Sequence, residues 1–139
     1  MITNKEYTKL VESENYPHSM IVPIDDIFKD DRGEIINLLF TSINSVAIIT
    51  SKAGSVRSNH YHKSDFHYLY VLSGKMEYYE RDLEEINHKM VTVGPGEMVF
   101  TPPNKVHKTV FLEDTVLLSC AKNIRDHQHH EEDVIRLEF

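Results

Sequence analysis

The sequence predicts an all-β domain, an antiparallel sandwich or small barrel. Three observations carry this reading. After Ile21 the apolar, β-branched and aromatic residues fall into runs of strand length. Turn-forming residues interrupt those runs about every 8–12 residues, and no helical periodicity alternates with them.

The elements follow in order. NKEYTKLVESENY places Tyr7, Leu10 and Val11 at i, i+3 and i+4, the spacing of one face of a short helix. IVPIDDIF and EIINLLF flank the turn KDDRG, and SVAIIT follows. FHYLYVL ends at Ser73-Gly74, KMEYYE at Arg81-Asp82, and EINHKMVTV at Gly94-Pro95-Gly96. EMVFT runs into Pro102-Pro103-Asn104, KVHKTVFL into Glu113-Asp114, and TVLLSCA closes the series. In NIRDHQHHEEDVIRLEF a polar stretch gives way to alternation of Val134, Arg136 and Glu138 against Ile135, Leu137 and Phe139, which suggests a terminal edge strand.

Composition excludes several classes. The 139 residues suffice for one domain, with 40% hydrophobic and 27% charged residues and no run able to span a bilayer. The first twenty residues are polar and acidic where a secretory signal needs a basic start and an apolar stretch, so the expected location is the cytoplasm. A net charge of −7 without a Lys/Arg cluster argues against a nucleic-acid partner. The lone Cys120 sits in an apolar strand and reads as a structural thiol.

The histidines stand out. His60, His62 and His67 fall within RSNHYHKSDFHYLYVLSG, residues 57–74. On a strand, His60 and His62 share a face about 6.5–7 Å apart, and Tyr61 faces away. Two imidazoles so placed can converge on one ion with bonds of about 2.0–2.1 Å. Lys63-Ser64-Asp65 is a break that lets His67 enter the interior from a neighbouring strand, together with Leu69 and Val71. Tyr68 and Tyr70 then pack on the opposite face. His107 follows the Pro-Pro-Asn turn at the first inward position of a later strand. Single histidines more often fill hydrogen-bonded core positions than ligate metals, and His18, His88 and the His127/His129/His130 group read as solvent positions.

The glycines and prolines around this cluster match a named pattern. Gly54, His60, His62, His67 and Gly74 are spaced as in the first cupin motif, and Gly96, Pro102, Asn104 and His107 as in the second. The chain thus resembles the cupin superfamily over about residues 45–122. That resemblance implies a double-stranded β-helix, or jelly-roll barrel, with residues 1–20 as an N-terminal extension, 123–139 as a tail, and the whole of 1–139 as one cupin domain. It also implies a metal site of His60, His62, His67 and His107 in the barrel mouth. The cupin pattern usually has Glu where His67 stands and Gly where Asn104 stands. Asn tolerates the left-handed conformation. Four neutral imidazoles would suit Fe, Ni, Cu or Zn as a divalent ion rather than Mg or Ca. Asp65 is the only carboxylate placed nearby.

A second resemblance concerns the substrate. FKDDRGEIINLL and GSVRSNHYHK are similar to the Asp-Arg-Gly turn and Arg-x-x-His strand of nucleotide-sugar cupins: rhamnose-pathway epimerases, sugar keto-isomerases and the cupin half of capsular sugar reductases. The resemblance implies Arg32 and Arg57 as ligands of substrate phosphates, which guanidinium forks suit, and His60 as catalytic base. Arg32 would also occupy an ordinary β-turn, and Arg57 a surface position. A histidine bound to metal cannot remove a proton, so one role of His60 must yield. Tyr78, expected inward on KMEYYE, is the alternative proton-transfer group. The sequence thus leads first to a nucleotide-sugar isomerase or epimerase, and second to a metal-dependent (Fe or Ni) dioxygenase. A third reading is a non-catalytic metal- or sugar-binding cupin. The family resemblance also implies a homodimer paired through exposed edge strands.

Overall fold

A computed structural model describes residues 2–137. Its elements are α1 (Asn4–Glu12), β1 (Asp26–Asp30), β2 (Gly33–Asn37), β3 (Ser45–Ser51), β4 (Val56–His62), β5 (His67–Ser73) and β6 (Met76–Asp82). They continue with β7 (Lys89–Val93), β8 (Met98–Thr101), β9 (Lys105–Phe111), β10 (Thr115–Ala121), α2 (His127–Asp133) and β11 (Val134–Arg136). Strands β3-β10-β5-β8 form one sheet and β11-β4-β9-β6-β7 a second, with β1-β2 as a separate hairpin. All pairings are antiparallel. From β3 to β6 the chain crosses from one sheet to the other at each strand, and this winding produces the expected jelly roll.

Side-chain alternation sorts the residues of the four-stranded sheet between two apolar clusters. Between the sheets, Val71, Met76, Tyr78, Val93, Val99 and Phe111 are at most 1% exposed and close one end of the barrel. On the outer face, Tyr68, Met98 and Phe100 pack against Tyr7 and Val11 of α1, with Tyr70 and Cys120 at the margin. Tyr68 and Tyr70 therefore lie on the face their parity required. α1 starts with a reciprocal cap between Thr3 and Glu6 and buries Tyr7 and Val11 together with Asn4 and Thr8, while Leu10 is only half-buried. Asn4 donates to the carbonyls of Pro23 (2.8 Å) and Leu38 (2.7 Å), which ties the helix to its cover.

Two turns fix the barrel's mouth and base. Asn104 takes φ 62°, the left-handed conformation expected of it, so β9 starts with His107 inward. Gly74 has φ 94°, and a Cβ there would lie 2.4 Å from the Asp114 carbonyl oxygen, so only glycine fits. The C-terminal segment departs from a solvated tail: His127–Asp133 forms a helix capped by Asp126, and β11 then pairs with β4 in the register Val134↔His62 and Arg136↔His60. Val134 is the buried residue of that strand and Arg136 faces solvent. The expected positions of Glu138 and Phe139 lie outside the described residues.

Candidate functional site

The histidines are brought together by backbone irregularity as much as by alternation. In β4, Ser58 (φ 75°) and Asn59 (φ 68°) form a bulge against β9, and the register shifts from Ser58↔Lys108 to His60↔His107. A regular strand would turn Arg57 and His60 to opposite faces. The extra residue puts both on the inward side, a re-aiming that bulges commonly perform near sites. His60, His62 and His107 then stand together on the five-stranded sheet, with ring centroids 4.7 Å apart for His60–His107, 4.9 Å for His60–His62 and 5.5 Å for His62–His107. One nitrogen from each lies within 4.8 Å of the others, a grouping able to hold a metal ion.

Hydrogen bonds set the protonation of two of these rings. The Lys105 carbonyl can only accept, so His107 donates from Nδ1 at 3.1 Å and its Nε2 carries a lone pair. That Nε2 is buried with no protein partner. His62 donates from Nδ1 to Asp133 Oδ2 at 3.1 Å, which leaves its Nε2 as an acceptor too. Carbonyl–histidine and carboxylate–histidine pairs of this kind orient imidazoles for metals. Burial, then the neighbouring His130 and Arg136 charges, lowers the His60 pKa to about 4; burial, then Arg125 and His60, lowers that of His62 to about 3. His107 is pushed down by burial first and His60 second. The rings are therefore neutral near pH 7; the Nε2 lone pair of His107 has no protein partner, and that of His62 faces Arg125 Nη2 at 3.4 Å, a longer approach than the 2.8 Å from the same Nη2 to His67. The donor set and the unpartnered Nε2 of His107 fit a divalent transition ion.

His67, the fourth histidine of the expected set, stands apart from the other three. It stands on β5 in the opposite sheet, 4% exposed, with its ring 5.1 Å from that of His107. Its Nδ1 is 2.8 Å from Arg125 Nη2. A guanidinium only donates, so Nδ1 is the acceptor and Nε2 bears the proton. His67 is accordingly not among the nitrogens that converge. Arg125 also contacts Asp65 Oδ2 (2.6 Å) and His62 Nε2 (3.4 Å). Asp65 accepts from the Asn123 N–H as well, and Asp133 from Ser64 N and Oγ at 2.8 Å each. These carboxylates are already engaged as supports.

The remaining candidates separate. Arg57 lies on the rim, held by Ser51 Oγ (2.7 Å) and the Thr50 carbonyl (3.0 Å), and lines a barrel cavity of about 210 Å³ with His60, His67, Arg125 and His130. Arg32 lies instead in the β1–β2 turn, its guanidinium closed on Asp30 at 2.5 Å and its side chain 84% exposed. Asp-Asp-Arg-Gly makes the turn, and the turn lies on a hairpin apart from both barrel sheets. Tyr78 does point inward but lies beneath the site at 0% exposure, donating to Glu80 Oε2 at 2.7 Å and paired with Thr101 Oγ1. Its ring stacks 6.4 Å from that of His107, and burial, then Glu80, drives its pKa up.

Two site residues escaped the sequence reading, Arg125 and Asp133, and a third, His130, was read as a solvent position but lines the cavity. All belong to the C-terminal segment, and His130 puts its ring 5.4 Å from that of His62. The β11–β4 register that carries them inward was the missing signal, because alternation shows that a strand exists but not which strand it joins.

Comparison with known families confirms the fold. The cupin domain pattern matches residues 47–119, more than half of the chain. The chain is a cupin. Among solved structures, this cupin is similar to QdtA, a sugar 3,4-ketoisomerase from Thermoanaerobacterium thermosaccharolyticum in complex with TDP (TM-score 0.68, 21% identity, 87% of this chain and 90% of that one). It is also similar to a 3,4-ketoisomerase from Helicobacter canadensis (TM-score 0.69, 23% identity, 82% and 87%). A third likeness is to the capsular polysaccharide assembling protein CapF from Staphylococcus aureus (TM-score 0.64, 24% identity), where 89% of this chain covers 37% of that one. Likeness at these identities establishes the fold alone. No curated protein matches the sequence. Among the described residues no helix is long and apolar enough to cross a membrane.

Proposed function

We propose that this cupin is an isomerase or epimerase of a nucleotide-linked sugar, with the sugar inside the barrel and a divalent transition ion held by His60, His62 and His107. The observation that carries the reading is the shared wall at Arg57. This residue lines both the histidine-bearing cavity and a surface groove of about 670 Å³ with Thr50, Ser51, Lys52 and Ser55. A cavity of about 210 Å³ suits one sugar ring and is smaller than the 300–1,000 Å³ typical of larger ligands, so the nucleotide would lie outside along the groove. Ser51 and Thr50 hold Nε and Nη2 of Arg57, which leaves Nη1 for a phosphate oxygen. Support also comes from the ketoisomerase structures, whose complexes hold TDP and, in one mutant, TDP-4-keto-6-deoxyglucose.

The bound ion would supply Lewis acidity toward the sugar carbonyl. His60 is then a ligand, and its role as base passes to another group. His130 lines the same cavity, half-buried, its pKa lowered first by burial and next by Arg125. For a keto shift its neutral imidazole would take the proton from the carbon next to the carbonyl and return it on the same face to the former carbonyl carbon, while the hydroxyl proton passes between the two neighbouring oxygens. Tyr78, committed to Glu80 and Thr101 beneath His107, supports the wall.

The direct test is incubation with TDP-4-keto-6-deoxyglucose in D₂O, followed by proton NMR. Loss of the signals beside the carbonyl, and its absence in His130→Ala, is expected. No exchange, together with no thermal shift from any diphosphosugar, would overturn the reading; a ligand at a hundred times its Kd adds about 2.7 kcal/mol. The three-imidazole wall also suits an Fe- or Ni-dependent dioxygenase, and oxygen uptake with metal-loaded protein separates the two.

A further inference from the structure

The geometry points to Arg125 as the residue that withholds His67 from the metal and fixes it as a neutral Nε2–H donor to an oxygen of the bound sugar. The sugar part of this inference rests on the function proposed above; the Arg125–His67 part stands on the site itself.

Three observations support it. Arg125 is anchored at several points: its N–H donates to Ser45 Oγ at 2.8 Å, and its Nε meets the 2% exposed Asp65 at 2.6 Å. The guanidinium therefore cannot swing aside without leaving a buried carboxylate unpaired. Its Nη2 reaches His67 Nδ1 at 2.8 Å, and a group that has no lone pair forces the imidazole proton onto Nε2. That Nε2 is buried without a partner in the protein, on a residue lining the cavity. A buried N–H with no acceptor is unfavourable, and an oxygen in the cavity would satisfy it.

The arrangement gives a physical account of a carboxylate-free position. A glutamate at residue 67 would meet Arg125 as a salt bridge and turn no donor toward the ligand. Histidine accepts from the guanidinium on one side and donates on the other. It can thus pass the pull of a fixed cation to a carbonyl or hydroxyl oxygen without itself becoming charged. Arg125 is in this sense a positioning residue, since it acts through His67.

The test is ¹⁵N-histidine NMR on the full chain, chelated and Zn(II)-loaded. His67 is expected to show a protonated Nε2 and an unprotonated Nδ1 in both forms, with Zn(II) moving the signals of His60, His62 and His107 and leaving His67 near its chelated position. Arg125→Lys, which keeps a donor, should preserve the Nε2–H tautomer; Arg125→Met should give a tautomer mixture and let Zn(II) move His67. A wild-type His67 protonated on Nδ1, or shifted by Zn(II) like the other three, overturns the assignment even if the variants fail to fold. Addition of TDP-4-keto-6-deoxyglucose judges the other reading: a shifted His67 Nε2 supports the sugar contact. An unmoved set of cavity histidines with the tautomer intact removes the substrate and leaves the Arg125 role standing.

Discussion

The two facing walls of the barrel mouth differ in hydrogen-bond character. On the five-stranded sheet, His62 and His107 donate outward from Nδ1, to Asp133 and to the Lys105 carbonyl, and keep their lone pairs on Nε2 beside His60, that of His62 also 3.4 Å from Arg125 Nη2. On the four-stranded sheet, His67 accepts from Arg125 and keeps its proton on Nε2. The same side chain, buried to a similar depth, turns a lone pair or an N–H to the barrel interior according to what stands behind it. Residue type brought histidine to both walls, and the supporting residue decides what it does.

The largest effect expected from breaking this comparison is loss of the ligand wall. His107→Ala should abolish stoichiometric Ni(II) or Zn(II) binding in metal analysis, whereas His67→Gln should retain it. Equal loss in both variants would erase the distinction between the walls.

Acid should act on both walls together. Above about pH 6.5, the ordinary histidine value, folded and unfolded chains both carry these rings neutral, and stability is at its full value. Below it the unfolded chain takes up protons that the folded one refuses. Each such ring then removes about 1.4 kcal/mol per pH unit until its own folded pKa is reached. For His60 the loss ends at about pH 4 and for His62 at about pH 3. Urea unfolding of the metal-free protein at pH 7.5 and pH 5 would show this, and a flat profile would contradict buried neutral histidines.

Asp133→Asn keeps the packing behind His62 but removes the charge, and should weaken metal affinity by about 10–100-fold in a chelator competition. Arg57→Ala should weaken binding of TDP-sugars by about 1.5–3 kcal/mol, the worth of a charge-assisted hydrogen bond, with metal content unchanged. Arg32→Ala, on an exposed turn closed by Asp30, should leave both metal and sugar binding where they were. A loss of sugar affinity in Arg32→Ala as large as in Arg57→Ala would show that the β1–β2 hairpin reaches a cavity after all.

Much of this was legible in the sequence, for identifiable reasons. Period-two alternation places His60 and His62 on one face and Tyr68 and Tyr70 on the other, and turn chemistry at Gly74 and Asn104 sets where strands begin. Both are local properties. Non-local properties were hidden. The bulge at Ser58–Asn59 that swings Arg57 in beside His60 leaves no mark in residue type, since neither residue is glycine. The partner of His67 lies 58 residues downstream of it, on a segment whose polar composition suits a solvated tail equally well. Likewise the Asp-Arg-Gly turn has the same letters on an isolated hairpin as it would have beside the histidines.

The most direct measurement is an anomalous-difference map at the zinc edge from crystals of Zn(II)-loaded protein. The account predicts one peak bonded by His60, His62 and His107, with an oxygen ligand from the cavity and His67 still turned to Arg125. A peak bonded by His67 as a fourth imidazole, or no peak among these rings, would contradict it.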